Sequence, residues 1–386
     1  MICDCSTPNE VYVILGNGFD IECGLPTDYR SFLSFLASIK CIIEKKADTI
    51  DNKTNAIGHL KLHEVIRKQL VIEDVDTSYW EKVLKTFWFK YFQEAIIKNG
   101  WVDFENEISK IIKWIEGSMF RKEDGQLLSE DDYLIVDYNS ALFDVLEYMI
   151  PNVSEIAGGG ILQGKYDITF RDLAKHLRDE LDVFIGGFEK FLLEYVSLII
   201  PKKKNSIIEL ITKISPCEKR FVLSFNYTST FEKMLEEAGI KADFCYVHGK
   251  AGSDRNNMVL GIDEHLDKDE ISNFISFAPF RKYNQRIFKE TDSRYVDWFS
   301  AFKSQRLIGK QLYIFGHSLG VSDKDILSSF ILSRNMDTYV YYYSLENFNK
   351  LVGNMTAIIG MDNMIKMNGG TYRTMSFLPQ NSLNVD

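Results

Sequence analysis

Two polar side chains able to take part in catalysis come just after short apolar runs of the sequence. Asn226 comes after Phe221–Ser224, and His248 follows Phe244–Val247 and precedes Gly249. An amide at a strand end can hold a water molecule or a ribose hydroxyl, and an imidazole can act as a general base near neutral pH. Considered alone, Asn226 is equally typical of a turn before a helix, and a single histidine is more often structural.

Two glycine turns end two further apolar runs. Gly16-Asn17-Gly18 follows Val11–Leu15, and Gly316-His317-Ser318-Leu319-Gly320 follows Gln311–Phe315. Glycine lets the backbone approach an anion, and the helix after such a turn offers unpaired N–H groups. We therefore predict that Gly16, Asn17, Gly18, Gly316, His317 and Ser318 bind a nucleotide. A tight turn without a ligand is the alternative for the first motif, because Ile21 stands where the dinucleotide fingerprint has its third glycine.

Two aspartates, Asp20 and Asp323, lie shortly after these turns, and we include both in the predicted nucleotide site. Asp20 can meet a ribose hydroxyl or cap the following helix. Asp323 and Asp325 stand near the start of the next predicted helix, where the simplest role of an aspartate is to cap that helix.

The segment Gly316–Gly320 also matches the Gly-x-Ser-x-Gly nucleophile elbow of serine hydrolases. That fold requires an acid and then a histidine after the serine in the chain. All six histidines precede Ser318, so a serine hydrolase would need His248 or His265 in a different topology. We interpret the motif as a second glycine turn in which Ser318 contacts a ligand.

Apolar segments rich in β-branched and aromatic residues occur near the N-terminus and again after Pro216, where they alternate with helical segments. Val11–Leu15 is apolar on both faces, as in a parallel strand covered on both sides. Met258–Leu260 is predicted as a further strand. Strands that alternate with helices predict a parallel sheet. The expected fold is α/β, a Rossmann-like parallel sheet whose strand ends gather into one site.

A helical period dominates the middle of the chain, where charged residues alternate with apolar ones at three- and four-residue spacing. We therefore predict a discontinuous nucleotide-binding domain, residues 1–30 plus 215–386, with a mainly α-helical insertion at residues 31–214. Residues 46–58 are expected to form an exposed loop.

The insertion and the later chain carry further charged candidates. Trp101 and Phe104 are expected to pack, whereas Asp103 and Glu105 are able to reach the site from the insertion. The basic segment Arg281–Arg286 is expected to be a solvated helix face, with a phosphate or partner contact as the alternative.

Bulk composition narrows the function classes. The 386 residues carry a formal net charge of −10, which argues against a broad nucleic-acid surface. Among six cysteines only Cys3 and Cys5 are close together, so we predict no metal site and expect reduced thiols in the cytoplasm. We see no signal peptide, and no apolar run reaches the ~18 residues of a membrane span. We expect no membrane contact, and oligomerisation stays open.

Several of these motifs, taken together, resemble one family. The residues that carry the resemblance are Ile14–Asp20 with Gly24–Thr27 and Tyr29, the Trp101, Asp103 and Glu105 patch, Phe225–Thr228, His248-Gly249, Gln285-Arg286, and Gly316–Gly320 with Asp323. From about residue 11 to 350 the sequence resembles the bacteriophage abortive infection protein AbiH family. The resemblance implies a prokaryotic defence protein that halts phage propagation, usually together with the infected cell.

The order of the strand-end motifs is also similar, more distantly, to sirtuin-like NAD-hydrolysing defence enzymes. That similarity implies NAD as the substrate, with Asn226 orienting the ribose or a water and His248 acting as the base. The chain departs from those enzymes at Gly16–Asp20, where Gly-Ala-Gly is usual, and at Thr228, where aspartate is common. The four-cysteine zinc module of protein deacylases is absent, which disfavours deacetylation.

Three functions therefore stay open. The first is NAD hydrolysis with loss of nicotinamide, which would deplete the cell of NAD. The second is a nucleotide-sensing module without catalysis, whose helical insertion binds a phage or host protein. The third is a nuclease that uses Asp20, Asp103 or Glu105 with Mg²⁺, although the sequence shows no clustered acidic motif. A toxic activity requires control, so we expect a phage-derived or host activator protein.

Overall fold

The computed structural model describes residues 10–99, 103–118, 133–135, 165–262, 275–302 and 309–380. Trp101 and His265 lie outside the described residues. The chain divides into two compact units. The first comprises Met1–Thr27, Ile199–Met258 and Lys289–Asp386, and the second comprises Asp28–Leu198 and Val259–Phe288.

Eight strands occur within the described part of the chain. They are β1 (Glu10–Leu15), β2 (Tyr133–Ile135), β3 (Lys165–Thr169), β4 (Lys219–Ser224), β5 (Asp243–Tyr246), β6 (Lys310–Phe315), β7 (Met336–Tyr342) and β8 (Met375–Pro379). Six of them form one parallel sheet in the first unit, in the order β5-β4-β1-β6-β7-β8.

This strand order places β1 at the centre of the sheet and reverses the direction of the chain there. From β1 the chain moves outward through β4 and β5 on one side, and then through β6, β7 and β8 on the other. Such a reversal is the arrangement of the Rossmann fold, in which ligands bind outside the carboxyl ends of the strands at the reversal point. The predicted fold class is confirmed.

Burial explains why β1 is central. All six residues from Glu10 to Leu15 are buried, since the strand has a neighbour on each side and packed residues on both faces. Tyr12 and Ile14 share one apolar cluster with Leu312 and Val340, together with residues of the surrounding helices. Burying each such side chain contributes about 1.5–3 kcal/mol, so this cluster fixes the ends of the central strands.

Helices surround the sheet in the first unit. Leu345–Ile359 illustrates how they form, because Ser344 caps its first turn and Leu351, Met355 and Ile358 repeat on its buried face. The α-helices of this unit are Gly18–Glu22, Asn205–Ile214, Thr230–Glu237, Tyr295–Phe302, Lys324–Ile331, Leu345–Ile359 and Met361–Asn368.

The second unit is mainly helical and has an aromatic core. The Phe104 ring stacks on Tyr29 and on Phe92, each at a centroid distance of 4.1 Å. Its helices are Tyr29–Glu44, Ile50–Ile57, Glu64–Ile72, Thr77–Lys85, Phe87–Asn99, Phe104–Ser118, Phe170–Glu194 and Lys282–Phe288. Strands β2 and β3 pair antiparallel.

The expected exposed loop at residues 46–58 is wrong. Ile50–Ile57 is a helix whose N-cap, Thr49, accepts a hydrogen bond from the Asn52 N–H. Lys53 is buried on this helix, and its ammonium donates to the carbonyl of Glu73 at 2.7 Å. That partner lies 20 residues along the chain, which is why the local pattern of polar residues was misleading.

The boundary of the helical part also differs from the expectation. The second unit takes in residues 259–288 and ends its first segment at Leu198. Arg178 links the added segment to the rest of this unit, because its guanidinium donates to the Pro279 carbonyl at 2.8 Å. Within the segment, the Gln285 side-chain oxygen accepts from the Leu260 N–H at 3.1 Å and its nitrogen donates to the Leu260 carbonyl at 2.8 Å. This side chain takes the place of a strand partner, so the predicted strand Met258–Leu260 is wrong. The sequence analysis also missed β8.

Candidate functional site

Four neighbouring strands end at one edge of the sheet, and each is followed by a predicted site motif. β1 leads into Gly16–Asp20, β4 into Asn226, β5 into His248 and β6 into Gly316–Gly320. Backbone hydrogen bonds extend the ladder past the strands, since the Phe225 N–H donates to the Leu15 carbonyl. The described structure therefore gathers these four motifs at the reversal point of the sheet.

The two glycine turns lie against each other. A Cβ atom on Gly18 would lie 2.8 Å from the Gly316 Cα, and one on Gly16 would lie 2.5 Å from the His317 Cα. Gly316 itself has φ +69°, a conformation that favours glycine. These glycines are therefore required by the close approach of two strand ends.

Two amide groups of the first turn already have partners. The Gly16 N–H donates to the Phe315 carbonyl at 3.1 Å, and the Gly18 N–H donates to the Gly316 carbonyl at 2.8 Å. The Asn17 side-chain oxygen accepts from the Thr27 hydroxyl at 2.5 Å. Nucleotide binding by this turn stays a prediction, and a ligand would have to meet other groups of the turn than these.

Asp20 lies inside the site rather than at a helix cap. It is 1% exposed, and its Oδ2 accepts from the Thr228 hydroxyl at 2.6 Å, which in turn accepts from Thr230 at 3.1 Å. Burial raises the pKa of Asp20 from 3.8 to about 6, although hydrogen bonds from Thr228, Thr230 and Asn226 favour its charged form. A carboxylate titrating near neutral pH in a strand-end site is typical of a functional group.

Asn226 is positioned by its own turn. Its backbone N–H donates to the Ser224 hydroxyl at 3.2 Å, and the side chain is 4% exposed. The side-chain Oδ1 of Asn226 and the Oδ1 of Asp20 have no hydrogen-bond partner among the described residues. Buried polar atoms are normally hydrogen-bonded, so these two oxygens can accept from a ligand or a water molecule.

Two histidines lie on either side of one carboxylate. His248 Nε2 is 3.2 Å from Asp323 Oδ1, and His317 Nε2 is 3.8 Å from Asp323 Oδ2. All three side chains are buried. The Phe225 ring packs edge-on against both imidazoles, with centroid distances of 5.2 Å to His248 and 4.4 Å to His317. A histidine oriented by a carboxylate is a common arrangement for a general base.

The protonation of His317 follows from its hydrogen bonds. Its Nδ1 accepts from the Leu319 N–H at 2.9 Å, so the proton of the neutral ring lies on Nε2, which faces Asp323. Leu319 has φ +56°, an uncommon conformation for a residue other than glycine, asparagine or aspartate. The strained backbone at Leu319 thus places the N–H group that orients the His317 ring.

The expected helix-capping role of Asp323 is wrong. Asp323 occupies the N-cap position of Lys324–Ile331 but makes no side-chain capping hydrogen bond, because its carboxylate faces the two histidines. Ser318 is exposed, and its backbone carbonyl accepts from Asn354 at 2.8 Å. A serine nucleophile needs an imidazole nitrogen that accepts the proton of its hydroxyl. His317 instead directs Nε2 towards Asp323 and uses Nδ1 to accept from the Leu319 N–H.

Charged residues of the second unit have structural roles. Asp103 caps Phe104–Ser118 by accepting from the Glu105 N–H at 3.1 Å. Glu105 pairs with Lys282 at 2.8 Å, and Lys282 is 2% exposed. The expectation that Arg281–Arg286 forms a solvated face is therefore wrong for Lys282 and Gln285, whereas Phe104 packs as predicted.

Three members of the site were not predicted as site residues. Thr228 and Thr230 hold Asp20, and Phe225 packs against both histidines. The signals for them were their place after β4 and, for Phe225 and Thr228, the family resemblance, since their partners follow β1, β5 and β6.

The strand order and this buried polar cluster at its carboxyl edge define a Rossmann-class α/β protein with a candidate ligand site. A family model described as "Bacteriophage abortive infection AbiH" matches residues 11–343. The chain belongs to the AbiH family, and this supports a role in abortive infection of bacteriophage. A search of curated proteins returned no match.

The described residues contain no helix long and apolar enough to cross a membrane. The same residues contain no group of three or more His, Cys, Asp or Glu side chains placed to hold a metal ion.

Proposed function

We propose that the chain acts in abortive infection by hydrolysing NAD. In this reaction the bond between nicotinamide N1 and ribose C1′ breaks, and the oxygen of a water molecule bonds to C1′. The electron pair of the broken bond stays with nicotinamide, which loses its positive charge. The products are nicotinamide, ADP-ribose and one proton.

His248 is proposed to accept the proton of the attacking water. Asp323 lies 3.2 Å from His248 Nε2, so its negative charge stabilises the positive charge that the ring acquires. A positioned general base contributes a factor of roughly 10²–10⁴ to the rate.

Asn226 is proposed to orient the ribose or the water. Its backbone is fixed by Ser224, and its buried side-chain oxygen has no described protein partner to compete with a ligand. Gly16, Asn17, Gly18, Gly316, His317 and Ser318 are proposed to line the remainder of the nucleotide site. Their places at the ends of β1 and β6 support this proposal.

The single observation that carries the proposal is the assembly at the reversal point of the sheet. An imidazole paired with a carboxylate, a buried amide and a second buried carboxylate come from four separate strand ends. Uncompensated burial of such groups is unfavourable, and sites of α/β sheets form at this edge. Because constant NAD hydrolysis would harm the host, the proposal includes a phage-derived or host activator.

The test uses purified protein, NAD, and lysate from phage-infected or uninfected cells. We expect nicotinamide and ADP-ribose, measured by mass spectrometry, with wild type in infected lysate. His248→Ala and Asn226→Ala are expected to lower the rate by at least about 10²-fold. His176→Ala is the matched control, because His176 is half exposed and pairs with Glu180 on a helix of the second unit.

Two outcomes would contradict the proposal. If NAD stays intact under every condition while the wild type protects cells, the chain does not hydrolyse NAD. If NAD binds but no product forms, and binding survives His248→Ala, the chain is a nucleotide-binding module.

A further inference from the structure

Two acceptor atoms without described partners lie in one corner of the candidate site. Asp20 is 1% exposed and Asn226 is 4% exposed. The Oδ1 of each lacks a hydrogen-bond partner among the residues that the structure describes. Asp20 accepts a hydrogen bond from Thr228, which lies two residues after Asn226, so both atoms belong to the same corner.

The donors that the protein supplies here are already used. The Thr228 hydroxyl donates to Asp20 Oδ2, and the Thr230 hydroxyl donates to Thr228. Asn226 lowers the pKa of Asp20, which is the effect of an amide N–H rather than of an amide oxygen. A ligand in this corner must therefore bring hydrogen-bond donors, since each acceptor left unpaired when buried is destabilising.

This requirement selects among the chemical parts of a nucleotide. A phosphate brings acceptor oxygens and negative charge, and both are unfavourable beside a buried carboxylate. The Gly16 and Gly18 amides of the adjacent turn already donate to the β6 end. A ribose carries two neighbouring hydroxyl groups, and each can donate one hydrogen bond.

We propose that Asp20 and Asn226 form a subsite for the vicinal diol of a ribonucleoside and exclude phosphate from this corner. The subsite makes the chain selective for ribonucleotides over 2′-deoxyribonucleotides. This inference deepens the proposed function, because it assigns the corner to a ribose of NAD and directs the pyrophosphate elsewhere. Its test does not require hydrolysis.

The experiment is calorimetric titration of the full chain with two ligand pairs. The pairs are NAD with its analogue lacking the 2′-hydroxyl of the nicotinamide ribose, and adenosine with 2′-deoxyadenosine. Turnover of NAD is prevented by using His248→Ala protein, and wild type replaces it if wild type leaves NAD intact. For at least one pair we expect the deoxy analogue to bind about tenfold to hundredfold more weakly, the effect of one hydrogen bond to a charged group.

A variant and a control complete the design. Asp20→Asn is expected to weaken ribose binding by at least about tenfold, because the side-chain N–H of the asparagine would face a ribose hydroxyl that also has to donate. Asp28→Asn removes the same charge at a helix cap, where asparagine serves as well as aspartate, and is expected to bind like the parent. Inorganic phosphate is expected to leave ribonucleoside affinity unchanged.

Three results would overturn the proposal. Equal affinity of both members of each pair would mean that the acceptors do not contact the diol. Competition by inorganic phosphate would mean that the corner accepts anions, and no binding by either pair would remove the subsite. If adenosine is distinguished from 2′-deoxyadenosine while NAD is never hydrolysed, the subsite stands and only the proposed reaction fails.

Discussion

Replacing Asp20 by asparagine should make the protein more stable at neutral pH and inactive. The carboxylate is buried and only one of its two oxygens has a described partner. Asparagine has the same shape, its oxygen can still accept from Thr228, and it carries no charge. Gains in stability from removing a strained polar group often accompany loss of function.

The size of the effect follows from the pKa of Asp20. Burial raises this pKa from 3.8 to about 6, and each unit corresponds to ~1.4 kcal/mol. Because the folded-state pKa is raised, the stability from the protonated group is fully present below the unfolded pKa. It is lost as the pH rises through about 6. Wild type should therefore lose about 3 kcal/mol relative to the variant, mostly between about pH 4 and pH 7.

The assay is urea unfolding of both proteins across this pH range. The titratable groups that the two proteins share contribute equally to both free energies of unfolding, so their contributions cancel in the difference. Asp28→Asn is the control for the change in net charge. A difference between wild type and Asp20→Asn that does not vary with pH would refute the claim that Asp20 is desolvated. Retained phage protection by Asp20→Asn would refute its role in the site.

Three further substitutions, two of them with a control substitution, test the geometry. Thr228→Val should destabilise the protein by about 1.5–3 kcal/mol near pH 8 and by less near pH 4, because the lost hydroxyl bonds a charged Asp20 only at the higher pH. Thr228→Ser keeps the hydroxyl and should not destabilise. Equal losses for Thr228→Val in urea unfolding at both pH values would contradict this reasoning. Gly18→Ala should cost about 1–3 kcal/mol or more by collision with Gly316. The control is Gly353→Ala, where a Cβ meets open space, and this variant should be more stable than wild type by up to about 1 kcal/mol. Similar melting temperatures for Gly18→Ala and Gly353→Ala would contradict the packing argument. Ser318→Ala should lower phage protection only partly in plaque assays, because Ser318 is proposed to contact the nucleotide but not to act as a nucleophile. Complete loss of protection would favour a serine nucleophile.

The fold could be predicted because its signals are local. Val11–Leu15 is apolar on both faces, and this marked a central parallel strand that became β1. Each strand end also carried a short motif, and parallel strands bring such ends to one edge. The positions of Asn226, His248 and the two glycine turns at this edge followed from these facts alone.

The partners within the site could not be predicted because they are distant in sequence. Asp20 meets Thr228 across 208 residues, and Asp323 faces His248, which follows β5. Both aspartates follow glycine turns at helix starts, so the local pattern favoured capping. The same limit applies to Lys53, which is buried on a helix where a loop was expected and donates to the carbonyl of Glu73.

The central claim is that phage infection leads this chain to hydrolyse NAD with His248 as the base. The most direct measurement is NAD, nicotinamide and ADP-ribose by mass spectrometry in cells carrying wild type, His248→Ala or His176→Ala, before and after phage challenge. The account predicts that NAD falls and both products rise only after infection, in wild type and His176→Ala cells. Protection by wild type with unchanged NAD would contradict it.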